Sequence, residues 1–140
     1  TYRLGDTGRG MLYSYRLEES RKGMYLHRES ATEIPPYAQG VTFLQEQDDA
    51  YMLLSTSCGR YNDSKIYLYQ MYEAQDGPGF LELAQYNFPP MAEELVSDGV
   101  KTYFLFESAA TCYGAARYYR CTYPVDRISA LSNQQLLAGQ

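Results

Sequence analysis

Apolar residues in this chain fall into short runs separated by polar turns. Tyr51 to Leu54 and Tyr103 to Phe106 are each four apolar residues in a row, the length that buried strands have. A polar turn precedes each run: Gln45 to Asp49 before the first, Ser97-Asp98-Gly99 before the second. Small polar residues close each run, Ser55-Thr56-Ser57 and Glu107-Ser108, and a loop follows. Beyond it, Lys65-Ile66-Tyr67-Leu68-Tyr69 and Arg127-Ile128-Ser129-Ala130-Leu131 alternate or nearly so, as half-buried strands do. A further strand is expected at Phe80 to Tyr86. No run approaches the roughly 18 apolar residues of a membrane-spanning helix. The pattern predicts an all-β protein.

The strands are spaced by a recurrence. Ile34-Pro35-Pro36-Tyr37-Ala38-Gln39-Gly40-Val41 returns 54 positions later as Phe88-Pro89-Pro90-Met91-Ala92-Glu93-Glu94-Leu95. Upstream, Gly8-Arg9-Gly10-Met11-Leu12-Tyr13-Ser14-Tyr15 parallels Gly59-Arg60 followed by Ile66-Tyr67-Leu68-Tyr69. Four short strands in about fifty residues is the pattern of a β-propeller blade. The expected order is the end of one blade over residues 1–33, a complete blade over 34–87, a further blade over 88–131, and a tail over 132–140 that is either a short helix or a frayed end. Even the smallest propeller takes about four blades, or roughly 160 residues. The expectation is therefore a partial propeller of about two and a half blades, a fragment of a longer chain or one part of an assembly with other chains. The plainer alternative is a β-sandwich with a chance Pro-Pro recurrence.

Composition narrows the partners. The 140 residues are 45% hydrophobic and 21% charged, a globular balance that excludes a disordered chain. Seventeen acidic against twelve basic residues give a net charge of −5, the wrong sign for the counterion release that drives nucleic-acid binding. Sixteen tyrosines and no tryptophan point to strands with half-buried rings. Position 1 is Thr rather than Met, so the N-terminus is expected to have been processed or trimmed, or never built, and any targeting segment would have gone with it.

An antiparallel meander brings the start of its first strand, the end of its second, the start of its third and the end of its fourth to one end of the sheet. The Pro-Pro segments, the loop Ser57-Cys58-Gly59-Arg60-Tyr61-Asn62-Asp63-Ser64 and the Glu107-Ser108-Ala109 turn are thus expected at one face, with Gln39 and Glu93 innermost. Loops on a rigid scaffold are where binding residues concentrate. Glu93 reads either as a ligand or metal contact or as a carboxylate that accepts backbone N–H groups. Glu107 follows an apolar strand and is expected to need a cation, Arg60, Arg117 or Arg127. Arg60 is expected to tie neighbouring blades through Glu107, or to face an anionic ligand beside Gln39 and Glu93.

The acidic stretch Gln45 to Asp49 lacks the spacing and Gly of a calcium loop and reads as a solvated turn. His27 is the sole histidine, so neither a zinc site nor a Ser-His pair has its parts. Gly5, Gly8 and Gly10 read as turn glycines. Cys112 and Cys121 lie in a loop insertion that a bridge between them would staple, worth about 2.7 kcal/mol by loop entropy; the alternative is that they and Cys58 are unpaired thiols.

Tyr37-Ala38-Gln39-Gly40, the Ser55 to Ser64 loop, Pro89-Pro90-Met91-Ala92-Glu93 and Leu105-Phe106-Glu107-Ser108-Ala109-Ala110 resemble the last blades of uncharacterised, usually secreted bacterial propellers akin to the NHL-repeat and regucalcin-type lactonase folds. That resemblance implies an extracellular location, a setting that suits a Cys112–Cys121 bridge. It also implies a divalent metal such as Ca2+ on Glu93, with Gln39 standing where an Asn ligand would be in a neighbouring blade. The sequence departs from the lactonase pattern in having Glu94 where a Gly usually follows. The leading expectation is a non-catalytic propeller module for binding or assembly; the alternative is a metal-dependent, lactonase-like hydrolase.

Overall fold

The computed structural model describes residues 8–59, 61–75, 77–110 and 128–138. They form nine strands: β1 (Gly10–Ser20), β2 (Gly23–Ile34), β3 (Ala38–Glu46), β4 (Asp49–Thr56), β5 (Ser64–Ala74), β6 (Gly77–Phe88), β7 (Ala92–Ser97), β8 (Lys101–Phe106) and β9 (Ile128–Ser132). A 3-10 turn covers Glu107–Ala109, and one helix, α1 (Asn133–Ala138), ends the described chain. The fold is all-β. Strands pair antiparallel in sequence order within three open sheets: β1-β2, β3-β4-β5-β6 and β7-β8-β9. Among the described residues no helix is long and apolar enough to cross a membrane.

The central sheet is covered on both faces, which explains why β4 is apolar without alternation. Tyr51 and Leu53 join Ile66 and Leu68 in a cluster facing Leu95, Phe104 and Phe106 of the third sheet. Met52 and Leu54 point the other way, with Tyr69, toward Leu12 and Ile34 of the first hairpin. Each such side chain, fully buried, contributes about 1.5–3 kcal/mol. In β6 a bulge at Leu83, where Leu68 pairs with Ala84 and Tyr69 with Glu82, changes which positions face each cluster. Phe80 lies on the hairpin side; Ala84, Tyr86 and Phe88 lie on the other.

Polar contacts fix the second and third sheets together. The Ala92 amide donates to the buried Ser64 hydroxyl (3.0 Å), and the Ser97 amide donates to Thr42 Oγ1 (3.2 Å). Gly40 lets β3 and β7 close up, because a Cβ there would stand 2.5 Å from Glu94 Oε1 and 3.0 Å from Glu94 Cα. The tail takes the helical option: Leu136 and Leu137 are buried, and the Tyr86 hydroxyl donates to the Leu136 carbonyl at 2.5 Å.

Two backbone patterns recur at a constant distance. Tyr37 (φ 65°) and Met91 (φ 62°), each after a Pro pair, are left-handed, a conformation uncommon for residues other than Gly. Their carbonyls accept from the amides of Ser57 (3.0 Å) and Glu107 (2.9 Å), closing the two segments alike. In the first hairpin Gly10 pairs with Ile34 and Ser20 with Gly23, with a bulge after Ser14. In β5-β6 Ser64 pairs with Phe88 and Ala74 with Gly77, with a bulge after Leu68. The left-handed residues, the paired ends and the bulges are offset by 54, and the two amide donors, Ser57 and Glu107, by 50.

Candidate functional site

One end of the central sheet gathers the chemistry. Ala38 pairs with Thr56, Thr56 with Lys65, and Ser64 with Phe88, so the Pro-Pro segments and the Ser57 loop do share that end. The opposite end carries the two-residue turn between Glu46 and Asp49, with Gln47 left-handed (φ 54°) and the flanking residues exposed.

Gln39 lies in the irregular stretch between Ala38 and Val41, where the β3-β4 register shifts, and Glu93 occupies the corresponding irregularity of β7. Gln39 is exposed and its amide donates to the Ser57 carbonyl at 3.4 Å. Glu93 is half-buried, and burial, reinforced by the negative charge of Glu107, raises its pKa above the ordinary carboxylate value. The structure therefore brings Glu93 and Glu107 within electrostatic reach. Glu107 opens the 3-10 turn and is exposed. Below it the Ser108 hydroxyl donates to the Pro90 carbonyl (2.7 Å), fastening the turn to the Pro-Pro segment. Arg60, Arg117, Arg127, Cys112 and Cys121 lie outside the described residues, and with them the Arg60–Glu107 tie and the Cys112–Cys121 bridge. Cys58 is a free, exposed thiol.

Calcium takes six or more oxygen ligands. Among the described residues no group of three His, Cys, Asp or Glu side chains converges on a point. Glu93 and Glu107 supply two carboxylates, so these residues alone do not make a calcium cage. His27 sits in β2 on the exposed hairpin, 2.9 Å from Glu18.

The same end of the sheet holds a cavity of about 220 Å3 lined by Pro36, Tyr37, Thr56, Ser57, Cys58, Asp63, Lys65 and Tyr67. The loop above it is closed by Asn62, whose amide donates to the Cys58 carbonyl at 2.6 Å. Asp63 Oδ1 is buried without a hydrogen-bond partner. Burial and the charge of Glu82 raise the Tyr67 pKa, only partly offset by its hydrogen bond with Thr56, so the phenol stays protonated. A buried, unpartnered carboxylate oxygen on a residue lining a cavity that Lys65, Thr56, Ser57 and Tyr67 also line can take a small polar molecule that donates to Asp63. Asp63, Lys65 and Tyr67 were not singled out by the sequence reading. The available signal was the alternation of β5, which puts Lys65 and Tyr67 on one face.

No family model, curated protein or solved structure matches the chain.

Proposed function

We propose that the chain is about two and a half blades of a β-propeller and serves as a non-catalytic binding or assembly module of an extracellular bacterial protein. The constant offset of 54 residues carries this reading, because it relates paired ends, bulges and left-handed residues alike. Independent hairpins have no physical reason to share a bulge position; copies of one blade do. On this reading β1-β2 is the outer half of one blade, β3 to β6 a complete blade, and β7 to β9 three strands of another. Apolar side chains exposed on the two outermost sheets, among them Tyr15, Leu17, Val96 and Ile128, support assembly with further polypeptide. The extracellular and bacterial part of the proposal comes from the resemblance carried by the Ser55 to Ser64 loop and the Phe106-Glu107-Ser108-Ala109 string.

Light scattering with a hydrophobic dye tests the module. Self-association or strong dye binding is expected; a monodisperse, cooperatively melting monomer that binds no dye overturns the proposal.

The Glu93–Glu107 juxtaposition favours a second reading, a metal-dependent, lactonase-like hydrolase whose remaining ligands come from other blades. Calcium titration of the chain and of Glu93→Gln discriminates: stoichiometric binding lost in the variant selects the hydrolase.

A further inference from the structure

We infer that the outer edge of β1 docks an extended segment of β4 character: acidic at its N-terminal end, apolar over the next several residues, and antiparallel to β1. The inference rests on the blade equivalence of the proposed function and names the partner surface that equivalence leaves open.

In the central sheet β5 lies between β4 and β6, whereas among the described residues β1 is paired on one side only, with β2. At the 54-residue offset Leu12, Tyr13, Tyr15 and Leu17 stand where β5 has Ile66, Tyr67, Tyr69 and Met71. Tyr69 is 8% exposed and Tyr15 50%. The cover on β5 includes β4 itself, with Met52 opposite Tyr69, Leu53 opposite Leu68 and Leu54 opposite Tyr67. The same register on β1 would set three apolar residues opposite Tyr15, Ser14 and Tyr13. From Gly10 to Tyr15 β1 carries no charge, and the charged residues Arg16, Glu18 and Glu19 are confined to its far half. Soluble proteins cover or charge an edge of this length and apolar content.

Charge complementarity identifies the acidic end of the occupant. On β5 the Gln70 amide donates to Asp49 Oδ1 at 3.2 Å. Arg16 replaces Gln70 in the equivalent place, so an aspartate there meets a guanidinium in place of an amide. Among the described residues Arg16 makes an exposed pair with Glu29, 3.3 Å away, which an incoming carboxylate can replace at little cost.

The probe is a synthetic peptide with the sequence of Asp49 to Thr56, added to the full chain, and the readout is amide hydrogen exchange along β1. Saturating peptide is expected to slow exchange over Met11 to Tyr15 by about tenfold or more. Arg16→Glu is expected to abolish that protection, and a peptide with Lys in place of its Asp to restore it on the variant. Arg16 is solvent-exposed, so the variant keeps its fold, and circular dichroism verifies this. Unchanged β1 exchange in the presence of peptide overturns the inference. So does protection that grows with protein concentration alone, which assigns the edge to a second copy. The two proposals fail separately. A dye-negative monomer whose β1 is still protected by peptide sinks the propeller and leaves the docking edge standing. Self-association with β1 indifferent to peptide does the reverse.

Discussion

The hairpins β1-β2 and β5-β6 share strand lengths, paired ends and bulge position, yet one is largely exposed and the other lines two apolar clusters. The comparison separates two things often run together. Pairing frame follows from local chemistry, from the glycines at 23 and 77 with positive φ and the bulge that each hairpin carries after the same number of residues. Burial depends on what lies beside the hairpin: β4 and the third sheet cover the second hairpin, whereas the first meets β4 mainly through Leu12 and Ile34.

The largest expected effect is a contrast at the equivalent tyrosines. Tyr69→Ala, removing a ring packed against Phe80 with centroids 6.5 Å apart, is expected to lower unfolding free energy by about 3–5 kcal/mol. Tyr15→Ala is expected to change it by no more than about 0.5 kcal/mol, as surface substitutions do. Urea melts of both variants measure the difference; equal costs would mean that Tyr15 is already covered.

Next come Ser64→Ala and the turn glycines. Removing the Ser64 hydroxyl leaves the buried Ala92 amide without its acceptor, an expected loss of about 1–3 kcal/mol in the same melts. Gly10 holds the equivalent place in the first hairpin and has no hydroxyl to lose. At the turns, Gly23→Ala and Gly77→Ala both force an L-residue to φ above 100°, at a cost on the order of 1–3 kcal/mol. Gly77→Ala is expected to cost more, because its Cβ would stand 2.9 Å from Ser30 Cβ while space around Gly23 is open. Equal losses would show that Ser30 moves aside without penalty.

The smallest effect sharpens the comparison at the Pro-Pro segments, where Gln39 and Glu93 correspond. Burial and Glu107 raise the folded-state pKa of Glu93, so the folded chain holds a proton that the unfolded chain releases. Its contribution is therefore most favourable below the ordinary glutamate range and declines as pH rises from that range through the raised value. Denaturation midpoints between pH 4 and 7 are expected to fall more steeply for the wild type than for Glu93→Gln, and a cation bound between Glu93 and Glu107 would remove the difference. Asp98 runs the opposite way. The Lys101 and Val100 amides, with the Tyr103 hydroxyl, lower its pKa, so its contribution holds above the ordinary aspartate range and disappears as pH falls below it.

The four-residue apolar runs, the alternation of β5 and the Pro-Pro recurrence were enough to place β4, β5, β8 and most of β6, because these signals are local and periodic. The shared end of the central sheet was legible too, since antiparallel order alone dictates it. The apolar run before Glu107 implied a buried strand end. The chain instead turns into a 3-10 segment at that residue and leaves it in solvent. The Asp63–Lys65–Tyr67 cavity was not legible, since it exists only where the loop before β5 folds over the Pro36-Tyr37 segment.

By itself the sequence determined strands, turns and their spacing, because strand period, left-handed residues and turn glycines act over a few residues. Tertiary structure alone decided which of two equivalent hairpins is covered, which carboxylates face each other and where a buried oxygen is left unpaired. Those outcomes depend on the proximity of segments far apart in the sequence, from the 14 residues between Glu93 and Glu107 upward, and the free energy of such contacts is set by desolvation and charge at the meeting point, which no local pattern encodes.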